Sequence, residues 1–230
     1  MPKANKRALT FPPESTGRRE RNKAEKLQRI KDAARDLFAR RGYDETTTAD
    51  VAEAADIGMS TLFFYADDKR DLLFLIFNEW FGQVLDELEA RQRGNRNVTE
   101  ALLELFQPLY AHHRRAPKLS RATLRELNFF SSGKHAPAFI ENSRRIVLLI
   151  EGVLRNAVEK EKIAPNEDIE LVASTLFAIY QAEIRRFMAS DESDIDAALG
   201  RLRRMLRLVI DGLIPRKGTA KSSARPRTVK

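Results

Sequence analysis

Apolar residues recur at intervals of three and four along almost the whole chain, and runs that alternate at every second position are not evident. The first stripe, Leu27, Ile30, Ala34, Leu37 and Phe38, predicts a helix over about 24–41, and Gly42 is placed to end it. Two short helices follow, over 48–55 and 59–65. Thr47-x-x-Asp50 has capping-box spacing ahead of Val51, Ala52 and Ala55; Asp56-Ile57-Gly58 interrupts the pattern, and Met59 to Tyr65 resumes it. A tight turn between two short helices is a helix-turn-helix, which presents the first residues of its second helix to base edges in the DNA major groove.

The same punctuation continues. Asp68, three residues before Asp71, opens a helix that runs to about Arg93 ahead of Gly94-Asn95. Thr99 is the expected cap of a helix to about Arg115, Pro117 opens one to Phe130, and Ser131-Ser132-Gly133 is a break. Pro137 opens a long helix to about Lys162; Asn166 with Glu167 and Asp168 starts one to Ala189, and Ser193 with Asp194 the last, to about Leu213. The fold class predicted is all-α, about nine helices. A unit of 24–70 is too small to use 230 residues, so a larger helical domain over 71–214 follows it.

Charge changes the picture once it is located. The chain carries a formal +8, but residues 1–23 contribute +5 and residues 215–230 contribute +6, leaving the body at −3. The tails are therefore basic: a flexible arm over 1–23 and a disordered tail over 215–230, both too poor in apolar periodicity to order themselves. Arg18, Arg19, Arg21 and Lys23 lie directly before the reader, where a basic arm can follow phosphates or enter the minor groove.

Other chemistries find little support. Cysteine is absent, which fits a reducing compartment and a cytoplasmic location, and the densest apolar run, Leu72 to Phe77, is far short of a membrane span. His112 and His113 are adjacent and point about 100° apart on a helix, so they do not chelate one ion, and His135 stands alone in a break. No phosphate loop, nucleophile elbow or zincin motif occurs. We expect no catalytic residues, no metal and no cofactor.

From Thr47 to Leu73 the chain resembles the tetracycline-repressor (TetR) family of bacterial transcription regulators: a threonine before Val51-Ala52, a turn, a Thr61-Leu62 recognition core, an aromatic pair and then Lys69-x-x-Leu72. The resemblance covers residues 24–73. It implies an all-α homodimer whose second domain holds a small apolar or amphipathic effector. Three positions depart from the family pattern. Phe63 stands where a tyrosine commonly touches phosphate, Ala66 where a phenylalanine packs, and Ser60 where glycine is common.

The DNA-contacting residues expected are Thr47, Thr48, Met59, Ser60, Thr61, Phe64, Tyr65 and Lys69. Thr47 caps its helix, and Thr48 can meet a phosphate there. Thr61 can touch a thymine methyl. Of the three consecutive aromatics at least one must be exposed; Tyr65 either donates to phosphate or packs at the edge of the core, and Lys69 meets a phosphate. The pocket residues expected are Trp80, Phe106, Tyr110, Phe129, Phe177 and Tyr180, with Gln107, His112, Asn128 and Gln181 as polar orienters. The last two helices carry more apolar residues than one core face uses, which assigns Leu176, Ile179, Leu202, Leu206, Val209 and Ile210 to a dimer interface built as a four-helix bundle.

These readings converge on a ligand-responsive transcriptional regulator, a repressor that binds a pseudo-palindromic double-stranded DNA operator as a homodimer, with no membrane partner. The alternative is a helical small-molecule-binding or interaction module whose DNA domain does not read sequence, a reading that Phe63 and Ala66 favour.

Overall fold

The computed structural model describes residues 14–91, 97–126, 132–164, 168–189 and 194–213. These residues form nine α-helices and no strand: α1 Glu14–Arg40, α2 Thr48–Ala54, α3 Met59–Tyr65, α4 Lys69–Ala90, α5 Val98–Arg115, α6 Pro117–Glu126, α7 Ala136–Glu159, α8 Ile169–Met188 and α9 Ile195–Leu213. No helix among them is long and apolar enough to cross a membrane. Phe129, Asn128, Asn166, Ser193 and the tail from 215 lie outside the described residues.

The clearest departure from expectation is at the start. α1 begins at Glu14, so residues 14–23 are helix and not an unstructured arm. Residues 17–26 are exposed throughout and bury nothing. Packing at Ile30, Ala34 and Phe38 nucleates the helix, and a run rich in Arg, Glu, Lys and Ala lets it propagate outward. Arg21 Nε donates to the Gly17 carbonyl at 3.3 Å. At the other end Gly42 takes the left-handed conformation, φ +105°, that closes the helix.

The caps follow side chains that reach the first free N–H groups. Thr47 and Asp50 form a reciprocal box on α2: the Asp50 amide donates to Thr47 Oγ1 at 3.1 Å, and the Thr47 amide donates to Asp50 Oδ2 at 2.8 Å. Asn97, not Thr99, caps α5, its side chain accepting from the Thr99 amide at 2.8 Å. Thr99 is buried instead. Asp168 caps α8 by accepting from the Leu171 amide.

Among the described residues two large hydrophobic cores result, with a small cluster of Phe74 and Ala136 besides. The smaller of the two gathers Ile30, Phe38, Tyr43, Val51, Leu62, Leu72 and Ile76 with Ala122 of α6. The larger joins α5, α7, α8 and α9 with the second half of α4, through Phe81, Leu85 and Leu88. α4 therefore belongs to both domains, and the boundary expected at residue 70 falls at the head of a helix that runs from one core into the other. Lys31 and Arg35 of α1 pair with Glu79 along it.

The residues assigned to a dimer interface are mostly interior. Leu176, Leu202, Leu206 and Ile210 are buried within the protomer, and Ile179 and Val209 are half-buried against the same core. α9 lies between α5 and α8, so one protomer covers the stripe that the sequence suggested was too wide. The exposed positions of α8 include Leu171, Ser174, Ala178 and Ala182, and those of α9 include Ala197, Arg204, Arg207 and an 80% exposed Leu208. Leu206→Glu, which strands a carboxylate in the core, should cost about 4 kcal/mol or more in urea unfolding followed by circular dichroism. Leu208→Glu should leave the protomer's stability within about 0.5 kcal/mol of the wild type.

Candidate DNA-reading and effector sites

The reader helix α3 is seven residues long and stands only because tertiary contacts hold it. Leu62 and Ala66 are its buried anchors; the small Ala66 side chain is covered at 1% exposure, so the expected loss of packing leaves no open gap. Met59, Ser60, Phe63 and Phe64 are exposed and Thr61 is half-buried. Phe64, at 65% exposure, is the aromatic turned furthest to solvent, with its ring edge-on to Tyr65 at 5.2 Å. An exposed phenylalanine on a reader helix offers a planar apolar surface to thymine methyls and sugars.

Three expected contacts have other partners. The Tyr65 hydroxyl donates to the Lys23 carbonyl of α1 at 3.3 Å, so it ties the reader to the helical N-terminal extension rather than facing a phosphate. The Lys69 ammonium is half-buried and donates to the Tyr43 and Asp44 carbonyls at 3.0 and 3.2 Å, above the Tyr43 ring. It fastens the loop after α1 to the head of α4. The Thr47 hydroxyl both accepts from the Asp50 amide and donates to the Asp50 carboxylate at 2.7 Å. Thr48 is half-buried in the first turn of α2.

A cluster that the sequence did not single out sits behind α3. Asp71, 1% exposed, accepts from the amides of Asp67 at 2.9 Å, Lys134 at 3.2 Å and His135 at 2.9 Å. Lys134 Nζ donates to the Phe63 carbonyl at 2.8 Å and pairs with Asp67, and His135 Nε2 lies 2.9 Å from the Tyr65 carbonyl. The sequence showed Asp71 only as a capping partner of Asp68, whose carboxylate does accept from the Asp71 amide at 2.7 Å. The segment that surrounds it comes from more than sixty residues away.

In the second domain a cavity opens among α4, α5, α6, α7 and α8. Phe77, Trp80, Phe81, Phe139, Phe177 and Tyr180 supply apolar walls; His113, Ser143, Gln181 and Arg185 are the polar groups. Its volume is about 40 Å³, room for one or two waters. Trp80, Phe177 and Tyr180 thus line it as expected from sequence. Phe106 and Tyr110 do not: both are fully buried, Phe106 stacked on Tyr180 at 4.6 Å and Tyr110 edge-on to Phe187 at 5.1 Å. Beside the cavity, and sharing Leu124 and Arg185 with it, lies an open cleft of about 430 Å³ lined also by Arg121, Arg125 and Met188.

The two adjacent histidines divide the work. His112 stacks on Trp80 with 3.4 Å between ring centres, and His113 reaches the cavity wall. Burial, joined by the neighbouring His113 and Arg115 charges, pushes His112 down to about 3; burial alone pushes His113 down to about 4. Both are neutral imidazoles at physiological pH. Among the described residues no group of three His, Asp or Glu is placed to hold a metal ion.

A helix-turn-helix with an exposed reading face, joined through a shared helix to a helical domain with an apolar cavity, defines a DNA-binding regulator. Residues 30–76 match the family described as bacterial regulatory proteins, tetR family. The fatty acid metabolism regulator protein of Bacillus subtilis is 22% identical over 197 residues, 84% of this chain and 98% of that protein. The HTH-type transcriptional regulator LuxR of Vibrio harveyi is 24% identical over 176 residues, 73% of this chain and 82% of that protein. The fold is shared with Thermus thermophilus FadR, described as a TetR family transcriptional repressor in complex with lauroyl-CoA. That pair has a TM-score of 0.66 and 24% identity over 84% of this chain and 98% of the other. Bacillus subtilis FadR in complex with stearoyl-CoA follows at 0.64, with 20% identity over 81% of this chain and 98% of the other.

The buried histidines carry a pH consequence. Their folded pKa values lie below the ordinary 6.5, so between pH 6.5 and about 4 the unfolded chain binds more protons and stability falls as the pH falls. Urea midpoints measured across that window should decline less steeply for His113→Gln than for the wild type. Parallel declines would show that His113 titrates normally.

Proposed function

We propose that this regulator is a repressor that binds a pseudo-palindromic operator as a homodimer and is released by an amphipathic anion with an apolar chain, of the acyl-CoA class. The observation that carries the ligand class is the junction of two environments at Leu124 and Arg185: an aromatic cavity on one side and an arginine-lined cleft on the other. A chain suits the first and a phosphate or carboxylate head the second. That FadR from two organisms is described in complex with lauroyl-CoA or stearoyl-CoA supports the same class.

The cavity is far smaller than the roughly 300–1,000 Å³ of a ligand pocket. An acyl chain therefore enters only by parting α4, α7 and α8, and that displacement is the differential contact through which a ligand can shift the population of reader geometries. The outward faces of α8 and α9 suit the dimer. Ala178, Ala182 and Ala197 are small and exposed, and Gly200 has open space where a side chain would be, so two copies can approach closely around Leu208.

Operator DNA selected from random sequence and read by fluorescence anisotropy tests the reading. Met59→Ala and Phe64→Ala should change the preferred bases with helix content intact, and wild-type affinity should fall steeply with salt as phosphate counterions are released. Lauroyl-CoA should raise the melting temperature and release the DNA. Leu208→Glu should give monomers in sedimentation equilibrium and lose the operator. No sequence preference in the wild type, or an unchanged one in both α3 variants, contradicts the assignment of the reading face.

A further inference from the structure

We propose that Asp71 is a positioning residue through which the second domain sets the pose of the reader helix, so that ligand entry at Phe139 reaches α3 through the segment Gly133-Lys134-His135. The transmission half of this statement rests on the effector reading above; the positioning half does not.

The chemistry of Asp71 makes the link specific. A carboxylate at 1% exposure persists only where donors surround it, and three backbone amides do so, one from the α3–α4 turn and two from the segment before α7. The close approach requires glycine at 133. Its φ is +114°, a conformation other residues rarely adopt, and a Cβ there would sit 2.7 Å from Asp71 Oδ1.

The same segment completes α3. A helix leaves its last carbonyls without intrahelical donors, and those of α3 find theirs in the other domain: Lys134 Nζ on Phe63 and His135 Nε2 on Tyr65. His135 must carry its proton on Nε2, since a carbonyl only accepts. The lysine charge also lies at the negative end of the short helix.

On the far side the segment runs directly into the cavity wall. The His135 carbonyl accepts from Asn78 Nδ2 at 2.8 Å, α7 begins at Ala136, and Phe139, one turn on, packs edge-on to Phe74 at 5.4 Å and lines the cavity. The side chain that a ligand must displace therefore stands four positions after His135, the nearer of the groups that cap the reader.

Amide hydrogen exchange on the full chain tests the positioning half without DNA or ligand. In Gly133→Ala, and in Lys134→Met as a surface change that leaves the fold alone, the peptide covering residues 60–67 should exchange about fivefold faster, the factor that one lost hydrogen bond carries. The segment of α1 over 30–38 should be unchanged. Wild-type exchange over 60–67 in both variants overturns the proposal, and so does equal acceleration over 30–38, which would mean general destabilisation. For transmission, the ratio of operator affinities with and without lauroyl-CoA should fall at least several-fold toward unity in Gly133→Ala, while the thermal shift from lauroyl-CoA persists. A ratio equal to that of the wild type overturns transmission. If lauroyl-CoA gives the wild type no thermal shift, the effector reading fails, and the exchange result alone decides the role of Asp71.

Discussion

A buried carboxylate between two domains constrains both of them, because it can be held only where backbone N–H groups converge on it. At Asp71 this requirement fixes the α3–α4 turn through Asp67 and fixes the start of α7 through Lys134 and His135. The reader helix is too short to be stable alone. It borrows an anchor from the small core at Leu62, a tie to α1 through the Tyr65 hydroxyl, and its C-terminal donors from the second domain.

α4 carries the consequence through the molecule. Its first turns, with Leu72 and Ile76, belong to the core that supports the reader, and its last turns, with Phe81 and Leu85, belong to the core that surrounds the cavity. A side chain displaced at Phe77 or Phe139 therefore acts on elements that also hold α3. The cavity is nearly filled in this conformation, so a ligand cannot enter without moving them. A filled cavity is compatible with a responsive one, since the work of opening is what distinguishes the two states.

Local signals in the sequence were informative where the structure is local. The Thr47-Asp50 box, the bounds of α3 and the closure of α1 at Gly42 all depend on neighbours within four residues. The placement of side chains by long-range partners was not legible. The Tyr65 hydroxyl looked available for phosphate because its acceptor, the Lys23 carbonyl, lies 42 residues earlier. Lys69 looked like a phosphate ligand because its carbonyl partners lie in a loop with no motif of its own. The stripe on α9 was assigned to a partner chain because periodicity reports that a face is covered without reporting what covers it. Asp71 carried a visible capping role that concealed its larger one.

In the proposed homodimer two copies of α3 read two related half-sites. A footprint of the wild-type protein on its selected DNA tests this most directly. Two protected half-sites, related by a dyad and centred about one helical turn apart, or a multiple of that spacing, are the predicted result. A single protected half-site, or protection that does not depend on sequence, would contradict it.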